Sequence, residues 1–327
     1  MYIKRNYSFW MTFRWSKKPF VIGTIYGTIL CLCHSVLDIH PELPWEPISV
    51  IGIAVAFYLG FKNNSSYDRT WEARKIWGGI VNNSRSFGAQ VVSFVHGDDA
   101  VAIRKELIYR HTAWITALRY QLRLPREWEH TEDRVRKLYS PSVVEMNSEL
   151  DKELSKYLPH DEIVGYLKQS NVATQILATQ SKRLQELRDK GIYEDFRHME
   201  LVRLIVSFYD GQGASERIKN FPFPRQYAST ALWLTVVFCG LLPFGIIDVF
   251  HEFSGLMFWV CPFMVGLITW IFFLMEKIGD YSENPFEGTY NDVPITTISR
   301  GIEIDLREMI NDTDIPKPIA PENGFSL

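Results

Sequence analysis

The feature that most limits what this chain can become is a set of four apolar runs, Pro19–Leu37, Pro47–Phe61, Tyr227–Ile247 and Phe253–Met275, none containing Asp, Glu, Lys or Arg. Runs of roughly twenty apolar residues match the hydrocarbon thickness of a bilayer, although the second run is short for a span. Hydrocarbon offers no water to bond a backbone amide, so each run is expected to be helical. The runs form two pairs separated by a long polar block. That layout predicts an all-α membrane protein with four transmembrane helices and a large helical region outside the bilayer.

The charges around the runs predict its orientation. Lys4, Arg5, Arg14, Lys17 and Lys18 precede the first run, and Lys62, Arg69, Arg74 and Lys75 follow the second. Arg217, Lys219 and Arg225 precede the third and Lys277 follows the fourth, whereas the two hairpin loops carry Asp38, Glu42, Glu46, Asp248 and Glu252 and no Lys or Arg. The positive-inside rule therefore predicts an inner (plasma) membrane protein with both termini and the polar block in the cytoplasm. Met1–Lys18 has Trp10, Phe13 and Trp15 but no small-residue cleavage site, which suits an interfacial helix or strap better than a removable leader. The expected organisation is an interfacial segment at 1–18, a first transmembrane pair with its cytosolic extension at 19–90, a cytosolic helical region at 91–220, a second pair at 221–280 and a C-terminal segment at 281–327.

Within the polar block, Ile103, Leu107, Trp114 and Leu118 repeat at helical spacing, as do Val172, Ile176, Leu184 and Leu187, and then Leu201, Leu204, Ile205 and Phe208. Ser140-Pro141 and Leu158-Pro159-His160-Asp161 mark breaks, with Asp161 expected to cap the following helix. From Glu283 onward the chain is polar, and Pro316–Pro321 reads as an extended tail.

Composition and motifs exclude several function classes. A formal net charge of −3 over 327 residues carries no bulk attraction for nucleic acid. The four cysteines, Cys31, Cys33, Cys239 and Cys261, all fall inside the apolar runs and read as small buried hydrophobes rather than metal ligands. No HExxH, Walker loop, GxSxG or CxxC pattern occurs, so the chain is not expected to be an enzyme and no cofactor is expected. His34, inside the first run, reads as a buried hydrogen-bonding residue.

The second run is the most informative. Ile53, Phe57 and Phe61 stand four apart and so form one apolar stripe on a helix, which then passes into Lys62-Asn63-Asn64-Ser65-Ser66-Tyr67-Asp68-Arg69. By spacing alone such a stripe is a packing or lipid-facing seam. Repeated around a symmetry axis it is a hydrophobic constriction, and a single chain of four spans has no internal pore, so that reading requires a ring of subunits.

Two motifs bear on the choice. Leu59-Gly60-Phe61 followed by Tyr67-Asp68-Arg69-Thr70-Trp71-Glu72 resembles the second-helix signature of the bestrophin family, particularly its bacterial members. Glu283-Asn284-Pro285-Phe286 resembles that family's Asn-Pro-Phe segment, and Asn291-Asp292-Val293-Pro294 is similar to the stretch just C-terminal to that segment in bacterial members. The resemblance extends to about Met309. It implies a homopentameric ion channel in membrane lipid, with a central pore for permeant ions, a neck at Ile53, Phe57 and Phe61, and a second, cytosolic constriction at Phe196, with Ile192 as the alternative. Animal bestrophins carry an acidic run forming a calcium clasp, where this chain has Glu287-Gly288-Thr289-Tyr290-Asn291-Asp292, too few carboxylates for a comparable site. Phenylalanine edges turned to the axis suit chloride-like anions and faces suit monovalent cations, so anion conduction is the expectation and cation conduction the alternative. A non-conducting membrane-anchored binding module is the rival from another class.

Overall fold

The computed structural model describes residues 1–37, 39, 41–129, 145, 149–253, 255–289 and 291–327. Asp38, the loop residue His40, the Ser140-Pro141 break and Tyr290 lie outside the described residues. The elements are α1 (Phe9–Leu37), α2 (Trp45–Phe94), α3 (Ala100–Arg123), α4 (Leu150–Leu154), α5 (His160–Leu167), α6 (Val172–Asp189), α7 (Asp195–Asn220), α8 (Arg225–Phe250), a 3-10 turn (Gly255–Val260), α9 (Cys261–Ser282) and α10 (Ile295–Met309). Among the described residues no strand forms, only two isolated bridges. Among the described residues four segments are long and apolar enough to cross a membrane: α1, α2, α8 and Gly255–Ser282.

The chain divides into two compact units, one made of Lys4–Arg69 and Pro222–Glu283, the other of Met1–Ile3, Thr70–Phe221 and Asn284–Leu327. The short second run is not a short helix, because helical geometry continues past Phe61 through the polar residues that follow.

The first unit holds α1, the beginning of α2, α8 and α9. Its core is small and mostly aliphatic, with Cys31, Ile48, Val55, Leu59, Leu242, Cys261 and Val265 among its buried members beside two phenylalanines, Phe238 and Phe258. Helices in lipid gain little from burying apolar area against one another, so close approach through small residues does the packing. A Cβ added at Gly266 on α9 would stand 2.9 Å from the Phe20 carbonyl oxygen of α1 and closer still to the Thr24 hydroxyl. The outside is apolar, with Ile22, Ile25, Val36 and Trp233 exposed. From Phe9 the expected N-terminal strap is helical and continuous with the first span, passing through Pro19 without a break.

The second unit packs around α3, whose last turns are buried almost throughout. Its core includes Trp77, Phe87, Leu107, Trp114, Leu118, Ile176, Leu184, Leu201, Phe208, Ile302 and Leu306, and the apolar repeats read from the polar block all face it, Val172 and Leu204 being only partly buried. Trp114 donates from its indole nitrogen to Gln212 at 2.9 Å and lies against Phe208, with ring centroids 5.0 Å apart.

One expectation about this unit is corrected. Asp161 does not cap α5. Pro159 occupies the N-cap position, and Asp161 and Glu162 sit in the first turn, where they favour the helix electrostatically instead. Between Glu283 and the proline-rich stretch lies α10, which buries Ile295, Ile302 and Leu306, and Pro316–Pro321 itself has no regular structure. The chain end is packed as well: Phe325 and Leu327 are buried, and Ile3 N–H donates to the Gly324 carbonyl at 2.9 Å. Sequence polarity missed this because the contacts join residues far apart in the chain.

Candidate functional site

Within the first unit, α2 has two faces with opposite fates. Ile48, Val55, Leu59, Lys62 and Ser66 are buried at spacings of three, four and seven, as one side of a helix requires. Val55 is 2% exposed and Leu59 0%. On the other side Ile53 is 71%, Phe57 82% and Phe61 56% exposed. Ile53 and Phe57 stand clear of the core of their own unit, and Phe61 meets that unit at the Tyr227 ring, with centroids 6.3 Å apart. At about 100° per residue, Phe57, Asn64 and Asp68 fall within about 20° of one line along the helix. All three are exposed, so the apolar stripe runs directly into an amide and a carboxylate.

The charges beside the stripe are turned the other way. Lys62 is buried, with Nζ 2.9 Å from Glu276 Oε1 of α9. Arg69 donates from Nε to the main-chain carbonyl of Glu283 at 2.9 Å. The buried Glu283 carboxylate accepts from Arg225 Nη2 at 2.7 Å. Burial pushes the Glu283 carboxyl up, and Arg225 opposes that shift. The two sequence motifs thus meet: the arginine of Tyr67-Asp68-Arg69 holds the first residue of Glu283-Asn284-Pro285-Phe286.

A family model described as Bacterial/Fungal Bestrophin protein matches residues 17–308 of the chain. The chain belongs to the bestrophin family. It is 28% identical over 295 residues to the voltage-dependent anion channel-forming protein YneE of Escherichia coli K12, covering 87% of this chain and 86% of that protein. It is also 28% identical over 279 residues to the voltage-dependent anion channel-forming protein RSc3414 of Ralstonia nicotianae, covering 85% of this chain and 81% of that one. Its fold is similar to the crystal structure of a bacterial bestrophin homologue from Klebsiella pneumoniae, with a TM-score of 0.75 at 23% identity, covering 90% of this chain and 98% of the other.

The other site residues expected of a bestrophin lie in the second unit. Phe196 is 87% exposed in the first turn of α7. Ile192, three residues before that helix, is half-buried against the core, so the two are not equivalent candidates for a constriction. Met199 and Val206 are exposed further along α7. Their spacing from Phe196 was readable in the sequence as an apolar face opposite Leu201, Ile205 and Phe208.

The segment after the Asn-Pro-Phe motif does not fit calcium. Asp292 Oδ2 accepts from the main-chain N–H groups of Gly288 at 2.6 Å and Thr289 at 3.1 Å, and Oδ1 accepts from the Thr289 hydroxyl at 2.6 Å. Arg123 Nη1 lies 3.2 Å from the same carboxylate, and Glu287 accepts from the Asn284 amide at 2.5 Å. A calcium ion takes six to eight oxygens, and here the acidic oxygens already serve the loop's own donors and a guanidinium. Among the described residues no group of three or more His, Cys, Asp or Glu side chains is disposed to hold a metal.

Proposed function

We propose that this bestrophin is a passive ion channel, not an enzyme, assembled as a ring of identical chains, five in number as the family resemblance implies. It conducts chloride-like anions through a central pore in the inner membrane, with both termini in the cytoplasm. Ile53, Phe57 and Phe61 stack as apolar rings to form its neck, and Phe196 forms a second, cytosolic constriction. The observation that carries this reading is the exposure of three large apolar side chains on one face of α2, on a line that continues into exposed polar residues. A lipid-facing seam accounts for the apolar part but not for the continuation. Anion conduction rests on kinship with the channel-forming relatives.

Apolar rings of this kind exclude water and raise the cost of ion passage. Phe57→Ala, in mid-stripe, is expected to raise single-channel conductance or open probability in reconstituted bilayers. Val55→Ala, on the packed face of the same helix, is expected to leave permeation nearly unchanged. Equal effects at the two positions, or a stable monomer by mass measurement in mild detergent, would remove the pore.

A further inference from the structure

We infer that Asp68 sets the ion preference at the inner end of the neck, an inference that rests on the pore reading of Ile53, Phe57 and Phe61. The charged side chains of α2 between Ile53 and Arg69 are Lys62, Asp68 and Arg69. Lys62 is buried against Glu276, and Arg69 is bonded to the Glu283 carbonyl. Asp68 is exposed, and the hydrogen bond it accepts is a long one, 3.5 Å from the Asn64 amide one turn earlier. Both basic groups in this stretch are therefore turned into the packing. The exposed face carries one carboxylate per chain, on the line of Phe57.

Repeated around a ring, these carboxylates form a band of negative charge. Low-dielectric walls focus such a field along the axis, and rings of Asp or Glu favour cations. Asp68 lies seven residues beyond Phe61, about 10 Å along the helix at about 1.5 Å per residue. That equals the Debye length at about 0.1 M salt, so the band reaches the neck at low ionic strength and is screened from it near 1 M, where the Debye length is about 3 Å. Asp68 thus weakens the preference for anions that the rest of the pore confers. It contributes a salt-dependent part of the ratio of anion to cation permeability at the end of the neck nearest to it, the exposed Lys75 on the same line lying about 10 Å further on.

The test is reversal potential under a potassium chloride gradient, with the purified ring in planar bilayers. Asp68→Asn is expected to raise the anion-to-cation permeability ratio about threefold at about 0.1 M ionic strength, and by much less near 1 M. Asp68→Glu should keep the original ratio, and Asp68→Lys should exceed the effect of Asp68→Asn. With so little bonded to it, the side chain can be exchanged without disturbing the fold, and an unchanged elution volume of the ring checks this. An unchanged ratio in Asp68→Asn and Asp68→Lys, alongside altered conductance in Phe57→Ala, overturns the assignment of Asp68 and leaves the neck standing. If neither position alters permeation, the neck falls and the role of Asp68 with it.

Discussion

The two units solve the same problem, packing helices against helices, with different materials. The unit carrying the spans uses small side chains and close backbone approach, as at Gly266 against Phe20 and Thr24, and leaves many of its large apolar residues outside, burying only a few aromatics such as Phe238 and Phe258. The other unit puts Trp77, Phe87, Trp114 and Phe208 at its centre and surrounds them with enclosed ion pairs such as Lys219 with Glu129, 2.5 Å apart. The difference comes from the solvent. In water, burying an aromatic ring is strongly favourable, whereas in lipid it gains almost nothing and tight fit decides.

The contrast can be broken at a few positions. Trp114→Ala should have the largest effect, because it empties an aromatic volume and leaves the Gln212 carbonyl oxygen without its indole donor. A loss of about 3–5 kcal/mol is expected, read as an early thermal transition. Gly266→Ala should cost about 1–3 kcal/mol, since the new methyl group meets a main-chain oxygen that cannot rotate away. If melting in detergent instead shows no loss, small-residue packing is not the device holding the spans.

The smallest expected effect is one of pH. His111 is fully buried, 2.9 Å from the Ser84 hydroxyl, and burial holds its pKa down at about 3 against an ordinary 6.5. Below pH 6.5 the unfolded chain takes up a proton that the folded imidazole refuses. The stability tied to this residue is therefore complete above pH 6.5 and is lost progressively towards pH 3. Between pH 7 and 5 the melting temperature should fall less in His111→Gln than in the parent protein, and parallel falls would show that other groups carry the acid sensitivity.

The same difference in materials explains what was legible in the sequence. Charge-free runs announced the spans, because lipid tolerates so few exceptions. Periodicities such as Ile103, Leu107, Trp114 and Leu118 announced the buried faces of the second unit. Boundaries were harder: an extension of the first pair to about residue 90 is expected, but the sequence does not mark that one unbroken helix runs from Trp45 to Phe94, since the continuation changes composition without changing conformation. The burial of Phe325 and Leu327, and the acceptance of Gly288, Thr289 and Arg123 by Asp292, come from distant or loop contacts that leave no periodic trace. On α2 the stripe itself was visible, but which of Lys62, Asp68 and Arg69 faces outward needed coordinates.

The junction of the two motifs has a consequence for how such chains vary. Arg69 grips the main chain at position 283, which every amino acid supplies, while Arg225 grips the side chain, which only an acid supplies in charged form. Sequence drift at position 283 is therefore invisible to one arginine and costly to the other. In relatives where the acid is replaced, the base at position 225 is released from its constraint, whereas the arginine at 69 keeps its partner whatever residue stands after the fourth span.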